Sequence, residues 1–152
     1  MVRLPDGSQA TRDWIRHPGA VAIVALTETG DVVLERQYRY PLARDLVEIP
    51  AGKLEPGEDH LETGKRELLE ETGYSAAQWT HLGQIHNAIG YSNEAIELWL
   101  AKGLTKGEAA LDAGEFLEVF TLPFDEALAM TADGRISDVK TIVGLFWASS
   151  RR

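Results

Sequence analysis

Apolar positions along the chain change their period several times, and each change marks an element. Residues 20–26, "AVAIVAL", are continuously apolar and rich in β-branched side chains, which predicts a buried strand stopped by the turn "TETGD" at 27–31. That turn predicts a hairpin with "DVVLERQYRY" at 31–40, where Val32, Leu34, Arg36, Tyr38 and Tyr40 share one face. Val33, Glu35, Gln37 and Arg39 share the other, which reads as too polar for core. "DLVEIPAGKLEPGE" predicts a short strand ending at Pro50 and Gly52, then a loop punctuated by Pro56 and Gly57. From Asp59 to Thr72 the spacing turns helical, with Leu61, Leu68 and Leu69 as the apolar stripe and Gly73 placed for a left-handed cap. Strands are predicted at 79–86, 94–101 and 115–122, with "KGLTKGEAALDAG" a loop between the last two. Helices follow at 124–132 and 138–150, the second placing Val139, Ile142, Val143, Phe146 and Trp147 at helical spacing. Trp99 and Trp147 fall in these stripes and read as core. Strands, helix, strands, helices describe an α/β (α+β) fold, a mixed sheet with helices packed on it, as one domain over 1–152.

Composition narrows the chemistry. With 44% apolar and 26% charged residues the chain has the make-up of a soluble globular domain. Its longest apolar run, Ala20 to Leu26, falls far short of the roughly 20 residues a membrane span needs. The first residues, "MVRLPDGSQATRDWIRHPG", lack the apolar centre of a secretory signal, so a cytoplasmic location is expected. There is no cysteine, which leaves carboxylates, His or backbone to carry any reaction. A formal charge of −9 opposes binding to a nucleic-acid backbone, and a capped-RNA substrate with it. An acidic protein can still act on an acidic small molecule when divalent cations stand between the two sets of oxygens.

Such a place is visible in "GKLEPGEDHLETGKRELLEETGY", residues 52–74. On a helix Glu67, Glu70 and Glu71 share one face, where like charges repel unless something holds them. Mg²⁺ would do so, since it takes oxygen ligands and keeps waters that a phosphate can replace. A solvated acidic face is the plain alternative for a run of charge.

The residues around the cluster decide between the two. Gly52, Glu58, Arg66, Glu67, Leu68, Glu70, Glu71, Gly73 and an apolar Tyr74 stand at the spacings of the Nudix box, so the chain resembles the Nudix hydrolases. Seven specified residue types, each at a usage of roughly 7%, and two apolar slots would coincide by chance with a probability on the order of 10⁻⁷. The resemblance implies the Nudix fold, a mixed sheet sandwiched between helices. It also implies hydrolysis of a nucleoside diphosphate linked to another group, with Mg²⁺, or Mn²⁺ in its place, as cofactor. In that reading Glu67, Glu70 and Glu71 hold the metals with the backbone carbonyl of Ala51, and Glu70 and Glu71 belong to the catalytic set. Arg66 grips a carboxylate and fixes the loop against the helix. Glu58 pairs with Arg66 or reaches metal through water.

"VVLERQYRYPL" with "LVEIPAGKLE", "GYSNE" at 90–94 and "DGRISDVKTIVGL" at 133–145 resemble the ADP-ribose pyrophosphatase branch. The resemblance implies ADP-ribose and water giving AMP and ribose 5-phosphate. Arg39 is then a candidate diphosphate ligand, and Glu94 a candidate for holding substrate or its metals. The general base is expected from the loop at 102–118, with Glu115 the first choice over Glu108, Asp112 and Glu118. Trp14 either stacks on an adenine face or is buried at a packing interface. The resemblance places residues 1–19 at a homodimer interface, from which Arg12 or Arg16 would reach a partner's site. His86, Asn87, Ala88 and Ile89 stand where this branch often has proline before the Gly-aromatic-Ser segment. GDP-mannose or another nucleotide sugar is therefore the alternative substrate, and His86 is either a substrate contact or a hydrogen-bonded structural histidine. A non-catalytic nucleotide sensor is the alternative outside this class, although such proteins usually lose box carboxylates that this chain keeps.

Overall fold

Strand β3 (Ala20–Ala25) is buried at every position, as a continuously apolar run requires. Its alternate side chains serve two cores. Ala20, Ala22 and Val24 face one with Leu98, Leu145 and Ala148, while Val21, Ile23 and Ala25 face the other with Val33 and Leu68. The computed structural model describes residues 1–111 and 116–152. Around β3 they form β4 (Asp31–Arg39), β5 (Arg44–Glu48), β6 (Ala51–Lys53), α1 (His60–Thr72), β7 (Tyr74–Ile85), β8 (Ile96–Lys106), β9 (Leu117–Pro123), α2 (Phe124–Ala132) and α3 (Val139–Ser149). A two-stranded ribbon of β1 (Val2–Arg3) and β2 (Gln9–Ala10) precedes them.

Two sheets carry the fold. The first has the order β6-β3-β8-β7 and is mixed, because β3 runs parallel to β8 and antiparallel to β6. Helix α1 packs on β3, β6 and β7, and α3 packs on β3, β8 and β7. The two cores assign these helices to opposite faces: Leu68 of α1 lies in one, and Leu145 and Ala148 of α3 in the other. The second sheet, β5-β4-β9, is antiparallel. The mixed sheet between helices is the expected architecture.

Several local expectations are corrected. The turn at 27–31 does not close a hairpin; one bridge, Leu26 to Val32, joins its arms before β4 leaves for the second sheet. The face of β4 read as too polar for core buries Val33 and Glu35 completely or nearly so, Val33 packing with Val21, Ile23 and Ala25 of β3 and Leu68 of α1. Past Glu35 the strand emerges, and Tyr38 and Tyr40 are exposed. Leu69 and Phe146 are exposed as well and leave the helix stripes to which their spacing assigned them. Residues 102–106, expected in a loop, extend β8, and β7 begins directly after α1. Trp147 packs against the α3-side core, whereas Trp99 is half-buried beside His81, with ring centroids 4.9 Å apart.

Candidate functional site

Helix α1 starts where its sequence says it should. The Asp59 carboxylate accepts from the backbone N–H of Leu61 at 2.9 Å and of Glu62 at 3.4 Å, capping the first turn. At the other end Gly73 takes φ 74° and donates its N–H to the Leu69 carbonyl, the left-handed cap that a side chain would strain. Between these caps Glu67, Glu70 and Glu71 are carried toward the edge strand β6.

The contact between helix and strand is intimate. A Cβ built on Gly52 would fall inside the Glu67 carboxylate, so only glycine lets that carboxylate lie against the β6 backbone. One position away, the Ala51 N–H donates to Glu71 Oε2 at 3.0 Å. Glu71 is buried, and Glu67 keeps 14% of its side-chain surface.

Arg66 gathers the remaining charge. Its Nε and Nη2 grip Glu58 at 3.0 and 3.1 Å in a fork, and Nη1 lies 2.9 Å from both Glu67 Oε1 and Glu70 Oε2. A further bond from Nη2 reaches the Lys53 carbonyl at 3.4 Å. One guanidinium thus holds three carboxylates and ties the loop after β6 to the helix. The hydrogen bonds from Arg66, with help from Thr63, hold the Glu58 carboxyl at about 2, and the hydrogen bond to Glu58, with Glu70 and Glu67, raises Arg66 above its ordinary range. As the side chains stand, no three Asp, Glu or His groups among the described residues converge on a common metal position.

Above this cluster opens a cleft of about 460 Å³ lined by Gln37, Arg39, Gly52, Arg66, Glu67 and Glu71 among others. A smaller one of about 190 Å³ shares Arg39, Ala51, Gly52 and Lys53 with it and continues to His17, Asn87, Glu94 and Lys140. Arg39 thus lies on the boundary between the two. Its Nε and Nη2 fork onto Glu48 at 2.7 Å each, and Lys140 donates to the same Glu48 Oε2. Burial pushes the Glu48 carboxyl up, but Arg39 and Lys140 outweigh it and the group lies below its usual value.

Of the residues singled out from sequence, Ala51, Arg66, Glu67, Glu71 and Arg39 line the larger cleft, with Glu70 joined to Arg66 at its edge. Glu94 lies in the loop before β8 and lines the smaller cleft, where it accepts from Asn87 at 3.0 Å and has His17 Nε2 at 3.5 Å. His17 Nδ1 accepts the Gly19 N–H at 3.1 Å, which leaves the proton of the neutral ring on the nitrogen facing Glu94. Trp14 and Arg16 line neither cleft; both are exposed. His86 lines neither. Glu115 and Asp112 lie outside the described residues. Glu118 pairs with Arg36 at 2.5 Å on the face of the second sheet opposite Gln37 and Arg39, and Glu108 is exposed next to Gly73.

His17, Glu48, Asn87, Asp138 and Lys140 escape a reading of the sequence. What signals there are do not assign them a role: Glu48 stands in "LVEIPAG" and Asp138 and Lys140 in "DGRISDVKTIVGL", segments that carry the branch resemblance, and Asn87 stands in the 86–89 segment that departs from it.

Comparison with known proteins agrees with this geometry. Residues 16–142 match the NUDIX domain model. The chain is 47% identical over 146 residues to a methanol dehydrogenase activator of Bacillus methanolicus, covering 95% of this chain and 79% of that one. It is 40% identical over 142 residues to an ADP-ribose pyrophosphatase of Bacillus subtilis strain 168, covering 92% and 77%. A GDP-mannose pyrophosphatase of Yersinia enterocolitica is 35% identical over 142 residues, covering 88% and 74%. Among solved structures an ADP compounds hydrolase superposes with a TM-score of 0.87 at 22% identity, over 98% of this chain and 81% of the other, which supports the fold. No described helix is long and apolar enough to cross a membrane. A carboxylate helix seated on a glycine strand, the domain match and these relatives together have one meaning: the chain belongs to the Nudix hydrolase family, in its ADP-ribose pyrophosphatase-like branch.

Proposed function

We propose that the protein hydrolyses the diphosphate bond of a nucleoside diphosphate derivative, with ADP-ribose as substrate and AMP and ribose 5-phosphate as products. The observation that carries this reading is the placement of Glu67 and Glu71 against the Gly52 and Ala51 backbone, at the floor of a cleft whose boundary is the Arg39 guanidinium. A guanidinium and carboxylates lining one cleft suit a diphosphate that is gripped directly by the first and through a divalent cation by the second.

The donor set fits Mg²⁺ or Mn²⁺. Glu67, Glu70 and Glu71 offer hard oxygens only, the Gly52 cradle admits a carboxylate where any side chain would exclude it, and the Ala51 backbone lies alongside. Those groups would hold the ion, in competition with Arg66 for Glu67 and Glu70. Bound there, it would supply charge screening of the diphosphate and a lowered pKa for an attacking water. The protein's own work is then positional. Arg66 keeps Glu58, Glu67 and Glu70 assembled, Arg39 takes phosphoryl oxygens, and Glu94 with Asn87 offers an acceptor and a donor to a hydroxylated arm in the smaller cleft. Glu115 remains the proposed general base, and residues 1–19 a proposed dimer element. Exposed Trp14 and Ile15, with Ile15 bonded to the Tyr91 carbonyl at 2.7 Å, support the latter.

GDP-mannose is the second reading, favoured by the Yersinia relative. Steady-state kcat/KM for ADP-ribose, GDP-mannose, NADH and diadenosine polyphosphates, each with Mg²⁺ and with chelator, tests both. A preference for ADP-ribose lost on chelation is expected. Preference for GDP-mannose would move the assignment to the second reading, and turnover of none would leave a nucleotide sensor.

A further inference from the structure

Beneath the boundary of the two clefts lies an ionic group with no part in the metal box. Glu48, at the end of β5, is almost wholly buried and takes three charged donors: the Arg39 fork on both oxygens and Lys140 on Oε2. Lys140, in the first turn of α3 and itself buried, also donates to Asp138 Oδ2 at 3.1 Å. Asp138 caps α3 by accepting from the Thr141 N–H at 3.0 Å and the Thr141 hydroxyl at 2.6 Å, and that hydroxyl accepts the Ile49 N–H at 2.9 Å. The chain of bonds therefore runs from Arg39 on β4 through β5 to the start of α3. Two cations and two carboxylates make it neutral.

Neutrality has a consequence for Arg39. A guanidinium forked onto one buried carboxylate presents little net charge to a ligand, since the pair cancels at a distance. Lys140 adds a second cation to Glu48, and Asp138 a second carboxylate. With Asp138 completing the count, the group adds no negative charge to a site that already holds Glu58, Glu67, Glu70 and Glu71. The Arg39 fork uses Nε and Nη2, so Nη1 belongs to the edge of the guanidinium outside it.

We propose that Lys140 is a positioning residue for the diphosphate: by sharing Glu48 with Arg39 and offsetting the second carboxylate, Asp138, it keeps Arg39 fixed and the group free of net negative charge at the boundary of the two clefts. This rests on the diphosphate reading of the site. Removing the ammonium would leave two carboxylates against one guanidinium, a local charge of minus one next to the ligand's own oxygens. Binding would suffer, while the reacting end of the site, organised by α1 and β6, would be left as it is.

The test is a charge series read by calorimetric binding of magnesium pyrophosphate and by steady-state kinetics with ADP-ribose, with Tm and near-ultraviolet dichroism as folding controls. Lys140→Met is expected to raise the pyrophosphate Kd and the ADP-ribose KM by about tenfold, with kcat within about threefold of the parent. Lys140→Met combined with Glu48→Gln restores neutrality and recovers most of that loss. Asp138→Asn keeps a capping side chain but makes the group cationic, so the pyrophosphate Kd falls. A fall in kcat with Kd unchanged in Lys140→Met would overturn the proposal, as would a double variant no better than the single. So would Asp138→Asn that weakens binding, and this arm decides if Lys140→Met does not fold. A parent that binds pyrophosphate yet turns over neither ADP-ribose nor GDP-mannose refutes the substrate reading alone, and the Kd series still judges Lys140.

Discussion

Two ionic clusters flank the same cleft and are built on opposite rules. Around Arg66 one guanidinium faces Glu58, Glu67 and Glu70, a surplus of negative charge held within one helix and the loop before it. Around Glu48, cations and carboxylates balance, and the members come from β4, β5 and the start of α3. The first cluster carries an excess of negative charge, which the proposed divalent cation would meet. The second has its charge neutralised internally, which is what burial demands. A site for an anion bridged by cations needs both kinds, one to attract the cation and one to avoid repelling the anion.

The carboxylate side is where the largest effect is expected. Glu71→Gln keeps an oxygen for the Ala51 N–H and so preserves the helix-to-strand contact, yet removes the charge. Turnover should fall by about 10² or more, and Glu67→Gln should do the same, as loss of a large electrostatic contribution does. Single-turnover rates at saturating Mg²⁺ would check it. Near-parental rates in both variants would leave the surplus charge of this cluster without a purpose.

The comparison also explains what could be read from the sequence. The Arg66 cluster spans only Glu58 to Glu70: helical spacing places Arg66, Glu67 and Glu70 together, Glu58 stands just before the cap, and the caps at Asp59 and Gly73 bound the helix from local chemistry. The Glu48 group joins residues 92 positions apart, Glu48 and Lys140. Nothing local brings them together, because their meeting depends on β5 pairing with β4 and on α3 crossing the first sheet. The same limit accounts for the lost hairpin: the turn at 27–31 was legible, but which sheet β4 joins is decided by its partner β9, far along the chain. Likewise Glu35 looks like a surface residue in an alternating strand, and only tertiary packing buries it. Glu67 was legible as part of a box, whereas its seat against Gly52 required the strand to be in place.

A smaller effect separates the clusters by the kind of cation each needs. Arg66 uses three nitrogens at once, so Arg66→Lys keeps the charge but cannot hold Glu58 and Glu70 together. A drop in kcat/KM of about tenfold is expected, between that of the metal-side carboxylates and parental activity. Parental activity in this variant would show that charge alone holds the cluster and would erase its contrast with the Lys140 group.

Acid should strain the Arg66 cluster next. The folded Glu58 carboxyl lies at about 2, below its ordinary value of 4.5, so its contribution to stability is fully present above that ordinary value. The contribution is lost as pH falls from about 4.5 through about 2. Tm measured across this window should fall less steeply in Glu58→Gln than in the parent, while the two run parallel above it. An unchanged slope would mean that the loop is held by other contacts.

The smallest effect tests whether the helix carrying this charge has stability to spare. Gly64 sits in mid-α1, where glycine costs about 1 kcal/mol against alanine through backbone freedom in the unfolded chain. A Cβ there would meet Trp79 at 3.5 Å and Ile23 at 3.8 Å, ordinary contact distances in the core that α1 covers. Gly64→Ala is therefore expected to raise stability by about 0.5–1 kcal/mol without touching the cleft, read as a higher urea midpoint at constant slope. A loss of stability would show that the helix needs the close approach to Trp79 that only glycine gives. Unchanged kcat beside higher stability would show that helix propensity is a reserve separate from the carboxylate site.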